Sequence, residues 1–227
     1  MINALNAVEK ATTVDFYFDF SSTNSYFAAF LLPEICTRHH ARLNWLPLHL
    51  AALFRGTGFD VMAMTARKAR YLWRDHQRYA ELTGLPFKRP TRFPIKTSAA
   101  LRSVLAVSSF TGPNPGASTE ATLSLMSAAV ASFTQEMFRR YWEFDEDISQ
   151  LGVIEAVAHK VGLDGPAVLK LSEAAGTRAQ LAKIVDQAAA RGVFGAPTFF
   201  VGHEMFWGKD RLDFVERWLI QRGPFGS

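Results

Sequence analysis

The sequence is poor in cysteine and in long apolar runs, and both absences exclude classes of protein. A single cysteine among 227 residues can form neither an internal disulfide nor a CxxC redox pair. A dithiol oxidoreductase is therefore excluded, because its cycle needs two thiols. No segment reaches the roughly 18–20 apolar residues of a membrane-spanning helix, and no cysteines and histidines have the spacing of a structural zinc site. We therefore expect no membrane partner and no metal.

The amino-terminal segment has no apolar core long enough for a signal peptide. Residues 1–13 are MINALNAVEKATT, a composition that predicts a flexible leader. The default location of such a chain is the cytoplasm.

Charge is nearly balanced overall but concentrated locally. The 25 Lys and Arg residues against 21 Asp and Glu residues give a formal net charge of +4. Between Arg38 and Arg102, however, 13 basic residues stand against three acidic ones. This segment is either a solvated helix face or a surface for small anions such as carboxylates. Nucleic acid is disfavoured as a partner, because no recognisable binding motif accompanies the charge.

The first fifty residues predict a strand, a helix and a second strand. Val14–Phe20 alternates with the period of a strand and is rich in phenylalanine. Tyr26–His40 has apolar residues at helical spacing, and Pro33 is expected to kink or restart this helix. Cys36 within it is predicted to be a small buried hydrophobe rather than a reactive thiol. Arg42–Leu48 predicts the second strand, which completes a βαβ unit.

The rest of the chain predicts a long helical stretch followed by a return to β structure. Helices are expected from residue 51 to residue 191, strands at 195–201 and 204–207, and a closing helix at 210–219. This order is typical of an α/β, thioredoxin-like fold (βαβ…ββα) with an inserted all-helical domain. We therefore assign residues 14–50 and 192–222 to a thioredoxin-like domain and residues 51–191 to the helical insertion domain.

Three segments have residues suited to chemistry. SSTNS, residues 21–25, follows the first strand, where open α/β folds place ligands; a serine there either caps the helix or donates a hydrogen bond to a thiolate or oxyanion. GVFGAPT contains Pro197, whose preceding bond is either an ordinary trans peptide or a cis peptide that presents Ala196 to a ligand. FWGKDR either caps the last helix through Asp210 or holds the charged end of a ligand.

Several segments together resemble one family. They are VDFYFDFSSTNSYFA, RKARY, RFPIKTSAALR, WEFDEDIS and GVFGAPTFFVGHEMFWGKDRLDFVERWL. These segments are similar to those of 2-hydroxychromene-2-carboxylate isomerases, which are relatives of kappa-class glutathione transferases in the DsbA-like thioredoxin superfamily. The resemblance runs from about residue 14 to residue 220, and its last block is the most specific part.

The resemblance implies a glutathione site. The family has a serine where its dithiol relatives have the reactive cysteine, and Ser22 matches that position as the catalytic residue that hydrogen-bonds the sulfur. Lys68 matches a lysine in the helix after the second strand. Lys209 and Asp210 lie where the family holds the γ-glutamyl end, with Asp210 taking the ammonium.

The segment around Pro197 has a second implied role in this site. Ala196, before a cis Pro197, would pair its backbone with the cysteinyl part of glutathione.

Some positions depart from the family pattern. Thr23 and Asn24 replace the Pro-Tyr or Pro-Phe that usually follows the serine, which predicts a looser turn. Phe59 and Lys96 stand where relatives have asparagine, and Lys209 stands where they have an amide or a serine.

The activity implied by the resemblance is a glutathione-dependent isomerisation in aromatic breakdown. The thiolate would add reversibly to the conjugated enone of ring-opened 2-hydroxychromene-2-carboxylate, allow rotation, and leave to give trans-o-hydroxybenzylidenepyruvate. The substrate would be a small anionic aromatic molecule, and the relatives pair as homodimers. Two alternatives stay open: a kappa-like transferase that consumes glutathione, and a thioredoxin-fold protein that binds small anions without catalysis.

Overall fold

A four-stranded mixed sheet carries the candidate site at one of its edges. The computed structural model describes residues 12–55, 64–110 and 120–222. The strands are β1 (Thr13–Phe18), β2 (Arg42–Pro47), β3 (Thr198–Val201) and β4 (Glu204–Trp207). Their order in the sheet is β2-β1-β3-β4. β1 pairs parallel with β2 and antiparallel with β3, and β4 pairs antiparallel with β3.

Helices occupy most of the chain between β1 and β2 and between β2 and β3. They are α1 (Thr23–Arg38), α2 (Leu50–Leu53), α3 (Ala66–Thr83), α4 (Ser98–Phe110), α5 (Glu120–Trp142), α6 (Leu151–Lys160), α7 (Gly165–Ser172) and α8 (Ala175–Ala190). A 3₁₀ turn (Lys209–Arg211) and α9 (Leu212–Arg222) follow β4. In the described part of the chain, no helix is both long and apolar enough to cross a membrane.

The predicted α/β, thioredoxin-like order of elements is confirmed, with local differences. α1 runs unbroken through Pro33, so the helix does not restart there, and the kink stays a prediction. β1 begins at Thr13, which the prediction assigned to the leader, and Thr12 already accepts a hydrogen bond from the Arg42 amide. The remaining leader residues, 1–11, and position 59 lie outside the described residues.

Phenylalanine rings fill the space between the sheet and α5. Phe16 stacks on Phe199 of the neighbouring strand with ring centroids 5.4 Å apart. Phe18 and Phe20 both contact Phe138 of α5, at 5.8 and 4.9 Å between centroids. All five rings are fully buried. The alternation seen in the sequence therefore forms a core that the sheet shares with the inserted helices.

α5 is also joined to the sheet layer by polar contacts. Trp142, at its end, is fully buried, and its indole Nε1 donates to the carbonyl of Phe20 at 2.9 Å. One side chain of α5, Gln135, donates to the Ala29 carbonyl in α1. Because Phe20 lies directly before the SSTNS segment, these contacts hold the base of the candidate site.

α8 packs against the face of the sheet opposite to the phenylalanine core, although the prediction placed α8 in the helical insertion domain. Val185 and Ala188 of α8 share a second, smaller cluster of buried side chains with Tyr17 of β1 and Phe200 of β3. The division into a thioredoxin-like domain and a helical domain stays a prediction. The packing shows that α8 covers a sheet face.

We expect Trp142 to be critical for stability. Trp142→Ala removes a fully buried indole and should lower the free energy of unfolding by about 3–5 kcal/mol, measured by urea denaturation. Trp142→Phe keeps most of the packing but leaves the Phe20 carbonyl without its donor, and should cost about 1–3 kcal/mol. Leu82→Ala, at an exposed position of α3, is the control and should change stability by less than about 0.5 kcal/mol. Equal stability of Trp142→Ala and Leu82→Ala would contradict this account of the core.

Candidate active site at the edge of the sheet

The strand directions bring four separate segments to one edge of the sheet. The carboxyl ends of the parallel strands β1 and β2 lie side by side, and Tyr17 of β1 pairs with Thr198 at the start of β3. Thr198 in turn pairs with Trp207 at the end of β4. The residues after β1, after β2, before β3 and after β4 therefore meet, which is the edge where open α/β sheets bind ligands.

A buried carboxylate holds the loop after β1. Asp19 is 1% exposed, and its Oδ1 accepts hydrogen bonds from the backbone amide and the hydroxyl of Ser21, both at 2.9 Å. Its Oδ2 accepts from the amide of Leu50, the first residue of α2, at 2.9 Å. The amide of Ser22 donates to the Asp19 carbonyl at 3.0 Å. These bonds close the turn without a proline, and the looser turn predicted from Thr23 stays a prediction.

Ser22 stands at the amino-terminal end of α1 and is its N-cap. Its Oγ accepts a hydrogen bond from the Ser25 amide at 3.2 Å and donates one to the carbonyl of Ala196 at 2.9 Å. Capping and a possible ligand role therefore belong to the same hydroxyl. The helix end adds a partial positive charge beside it, which favours an anion at this point.

Ala196 and Pro197 lie opposite Ser22, and the bond between them is cis, the isomer that the family resemblance implied. The carbonyl of Pro197 accepts from the amide of Gly208 at 3.0 Å, which ties this segment to the loop after β4. Gly195 has no room for a side chain, since a Cβ there would lie 2.6 Å from Nε1 of Trp207. The structure thus brings Ser22, Ala196 and Pro197 together.

Lys209 is buried in this loop with an unusual set of neighbours. It is 9% exposed, and its Nζ lies 4.3 Å from the centre of the Tyr79 ring in α3. Within the described residues it has no carboxylate within 4 Å, although Asp75 and Asp210 are near enough to act on it. Burial lowers the pKa of its ammonium, and the two carboxylates oppose that shift. Such a cation is suited to an anionic ligand group.

The side chain of Asp210 is exposed and lies within the 3₁₀ turn. The helix α9 begins two residues later, at Leu212, so the predicted N-cap role of Asp210 is wrong. Its Oδ1 would lie 2.5 Å from a Cβ at Gly208, where φ is 103°. Glycine is therefore required before Lys209, since both the space and the backbone conformation disfavour a side chain.

His76 was missed by sequence reasoning, and it lies close to Lys209. Its ring is half-buried among the side chains of Phe27, Trp73 and Phe87, and its Nδ1 is buried without a hydrogen-bond partner in the described structure. Burial, and secondly the charge of Lys209, lower the pKa of His76 to about 4. A histidine on a helix gives no sequence signal of this kind, because the lowered pKa comes first from burial by tertiary packing and secondly from Lys209, which is more than 100 residues away in the chain.

Two polar atoms in the first turn of α1 are likewise without partners. The Oδ1 of Asn24 and the Oγ of Ser25 are buried and make no hydrogen bond in the described structure. Unpaired buried polar atoms are costly, and at a ligand edge they are expected to be satisfied by a bound molecule.

Lys68 is the predicted site residue that the structure does not bring to the others. It is exposed in the first turn of α3, and its backbone amide donates to the capping hydroxyl of Thr65. Lys96 is also exposed. The role of Lys68 stays a prediction.

The one cysteine of the chain lies within α1, away from the amino-terminal end of this helix that carries Ser22. Cys36 is 2% exposed in α1, which confirms that it is buried, and burial raises the pKa of its thiol to about 12, which disfavours the reactive thiolate. No group of three or more potential metal ligands occurs in the described ranges.

This architecture defines a known class of domain. The family model of the DSBA-like thioredoxin domain matches residues 13–219. The chain belongs to the DSBA-like thioredoxin family.

Within that class the chain is similar to isomerases, as the sequence segments indicated. A 2-hydroxychromene-2-carboxylate isomerase of Sphingobium xenophagum is 28% identical over 212 residues, which cover 92% of this chain and 98% of the relative. A solved 2-hydroxychromene-2-carboxylate isomerase structure superposes with a TM-score of 0.74 at 26% identity and covers 92% of this chain and 95% of that one. The cytosolic disulfide reductase DsbM of Pseudomonas aeruginosa, solved with GSH, shares the fold at 20% identity and a TM-score of 0.58, over 92% and 99% of the two chains.

The neutral state of His76 predicts a pH-dependent stability. Its pKa in the fold, about 4, is below the ordinary value of 6.5, so between these values the unfolded chain binds more protons. The stabilising contribution is complete above the ordinary pKa and is lost as pH falls toward the folded one. From pH 7 to pH 5 the free energy of unfolding of the wild type should fall by about 2 kcal/mol more than that of His76→Gln.

Urea denaturation at the two pH values measures this difference. His203→Gln, in the exposed turn between β3 and β4, is the matched control and should keep the wild-type pH dependence. Parallel curves for the wild type and His76→Gln would show that His76 does not titrate as described.

Proposed function

We propose that this protein is a glutathione-dependent isomerase that interconverts 2-hydroxychromene-2-carboxylate and trans-o-hydroxybenzylidenepyruvate, or a related intermediate of aromatic breakdown. The observation that carries the proposal is the placement of the Ser22 hydroxyl at the end of α1, 2.9 Å from the Ala196 carbonyl. The names of the isomerase relatives support the reaction. A cytoplasmic location and a homodimer belong to the same proposal.

The polar groups at this edge fit glutathione. Lys209 is a buried cation without a carboxylate partner in the described structure, which suits the α-carboxylate of the γ-glutamyl group. Asp210 is exposed beside it and is suited to the ammonium of the same group. His76 and Asn24 add buried atoms that lack hydrogen bonds.

Ser22 would exchange one hydrogen bond for another when the ligand binds. In the present geometry its hydroxyl proton is directed to the Ala196 carbonyl. Rotation of this hydroxyl toward the sulfur would stabilise the thiolate, together with the helix end, and would free the carbonyl of Ala196. That carbonyl could then accept from the cysteinyl amide of glutathione, so no buried acceptor is left unpaired.

The chemistry divides between the ligand and the protein. When bound, glutathione supplies a thiol sulfur that can add reversibly to a conjugated double bond. The protein holds the sulfur ionised through Ser22 and places the substrate near the sheet edge.

Ser22→Ala should lower turnover of 2-hydroxychromene-2-carboxylate by about 100-fold, because one donor to a developing anion is lost. The affinity for glutathione should change much less, since the peptide contacts stay. Ser21→Ala is the matched control: it removes a neighbouring hydroxyl whose one hydrogen bond within the described residues is to Asp19, and its turnover should stay within a few-fold of the wild type.

Product analysis decides between the open alternatives. Glutathione recovered in full after turnover supports isomerisation, and its consumption indicates a transferase. If calorimetry detects no glutathione binding by the wild type, the proposal is wrong.

Lys209 has a separate test based on a truncated ligand. Cysteinylglycine lacks the γ-glutamyl group, so the wild type should bind glutathione at least about tenfold more tightly than cysteinylglycine. Lys209→Met should remove most of that preference and leave cysteinylglycine affinity unchanged. Lys88→Met, at an exposed position, is the control for the loss of charge. A preference that persists in Lys209→Met would show that the γ-glutamyl group binds elsewhere.

A further inference from the structure

A cavity lies between α2, α4 and α8, and the site described above does not use it. Its volume is about 240 Å³. Ligand pockets for drug-sized molecules commonly measure roughly 300–1,000 Å³, so this cavity suits a smaller molecule with a single ring. Its lining contains none of the residues assigned to glutathione.

One wall of the cavity is aliphatic. Ala52 of α2 and Leu181, Ala182 and Val185 of α8 line it. Val185 also belongs to the buried cluster that packs on the sheet, so this wall is backed by the protein core. The cavity therefore offers apolar contact to a ligand body.

The remaining lining is mainly basic. It comprises four basic residues, His49, Arg55, Arg102 and Arg178, and one neutral residue, Ser98. Arg102 and Arg178 share one carboxylate, that of Glu173, and each also donates to a backbone carbonyl, Ser172 and Glu173 respectively. The lining thus contains three guanidinium groups, and the carboxylate of Glu173 pairs with two of them.

Arg55 and His49 are the members of this set that do not pair with Glu173 in the described structure. Arg55 is exposed and forms no ion pair in the described part of the chain. His49 is half-buried, and burial lowers the pKa of its imidazole, with Arg55 and Arg102 adding to the shift and Asp19 opposing it. A neutral imidazole among arginines leaves the positive charge on the guanidinium groups, whose planar geometry matches a carboxylate.

We propose that this cavity binds a small organic acid, with its carboxylate held by Arg55 and its apolar body against the aliphatic wall of α8. The apolar wall distinguishes such an acid from inorganic phosphate, which has no group to place there. The site is distinct from the proposed glutathione site, because none of the residues that line it is assigned to glutathione.

The test uses the full chain and benzoate as the probe, measured by calorimetry without glutathione. Benzoate should bind saturably, and neutral benzamide and inorganic phosphate should each bind at least about tenfold more weakly. Arg55→Gln should weaken benzoate binding about tenfold, because a charge-assisted contact is lost. Ala182→Phe fills the cavity without a change of charge and should abolish binding.

Two sets of controls keep the outcome specific. Lys183→Gln removes a positive charge from the exposed side of the same helix, outside the cavity lining, and should leave benzoate affinity unchanged. Ser22→Ala and Lys209→Met should also bind benzoate as the wild type does. Thermal unfolding of each variant identifies any that fails to fold. Arg55→Gln changes a solvent-exposed side chain, so we expect this variant to fold.

Several results would overturn the proposal. They are the absence of saturable benzoate binding, equal binding of benzamide, equal weakening by Lys183→Gln and Arg55→Gln, or loss of benzoate binding in Ser22→Ala. Glutathione binding is titrated on the same samples, so failure of the proposed isomerase site and failure of this cavity give different results.

Discussion

The hydrogen bond from the Ser22 hydroxyl to the Ala196 carbonyl joins two segments that are 174 residues apart in the chain, and the candidate active site depends on it. Further hydrogen bonds hold each side of this contact. Ser22 is held by the closed turn on Asp19, and Ala196 is followed by Pro197, whose carbonyl accepts from the Gly208 amide. The loop that carries Lys209 is therefore tied to the same point. A hydroxyl at a helix end, an adjacent carbonyl and a buried cation form one polar surface at the edge of the sheet.

The basic residues counted in the sequence have two different environments in the fold. On α3 most of the basic side chains are exposed to solvent: Arg67, Lys68, Arg70, Arg74 and Arg78. Arg102 instead is 9% exposed and pairs with Glu173 at the cavity between α2, α4 and α8. The exposed side chains of α3 agree with the interpretation as a solvated helix face. The interpretation as a surface for small anions stays a prediction, since Arg102 is already paired with Glu173.

The sequence was sufficient for the fold order and for the Ser22 and Pro197 segments, because strand alternation and short motifs are local signals. It was not sufficient for His76, whose properties depend on Lys209 and on three aromatic rings brought together by tertiary packing. At Pro33 a local signal was present but did not decide the structure. Proline disfavours the interior of a helix, yet α1 continues through it. The closed turn at Ser22 depends on Asp19, whose contacts with Ser21 follow a short-range pattern that the sequence reading did not use.

The central claim is that Ser22 keeps the sulfur of bound glutathione ionised. The most direct measurement is the ultraviolet absorbance of the thiolate of protein-bound glutathione as a function of pH, in the wild type and in Ser22→Ala. The account predicts that the wild type ionises the sulfur at a lower pH than free glutathione, and that Ser22→Ala returns the titration toward that of the free tripeptide. Identical titrations of bound glutathione in the two proteins would contradict it.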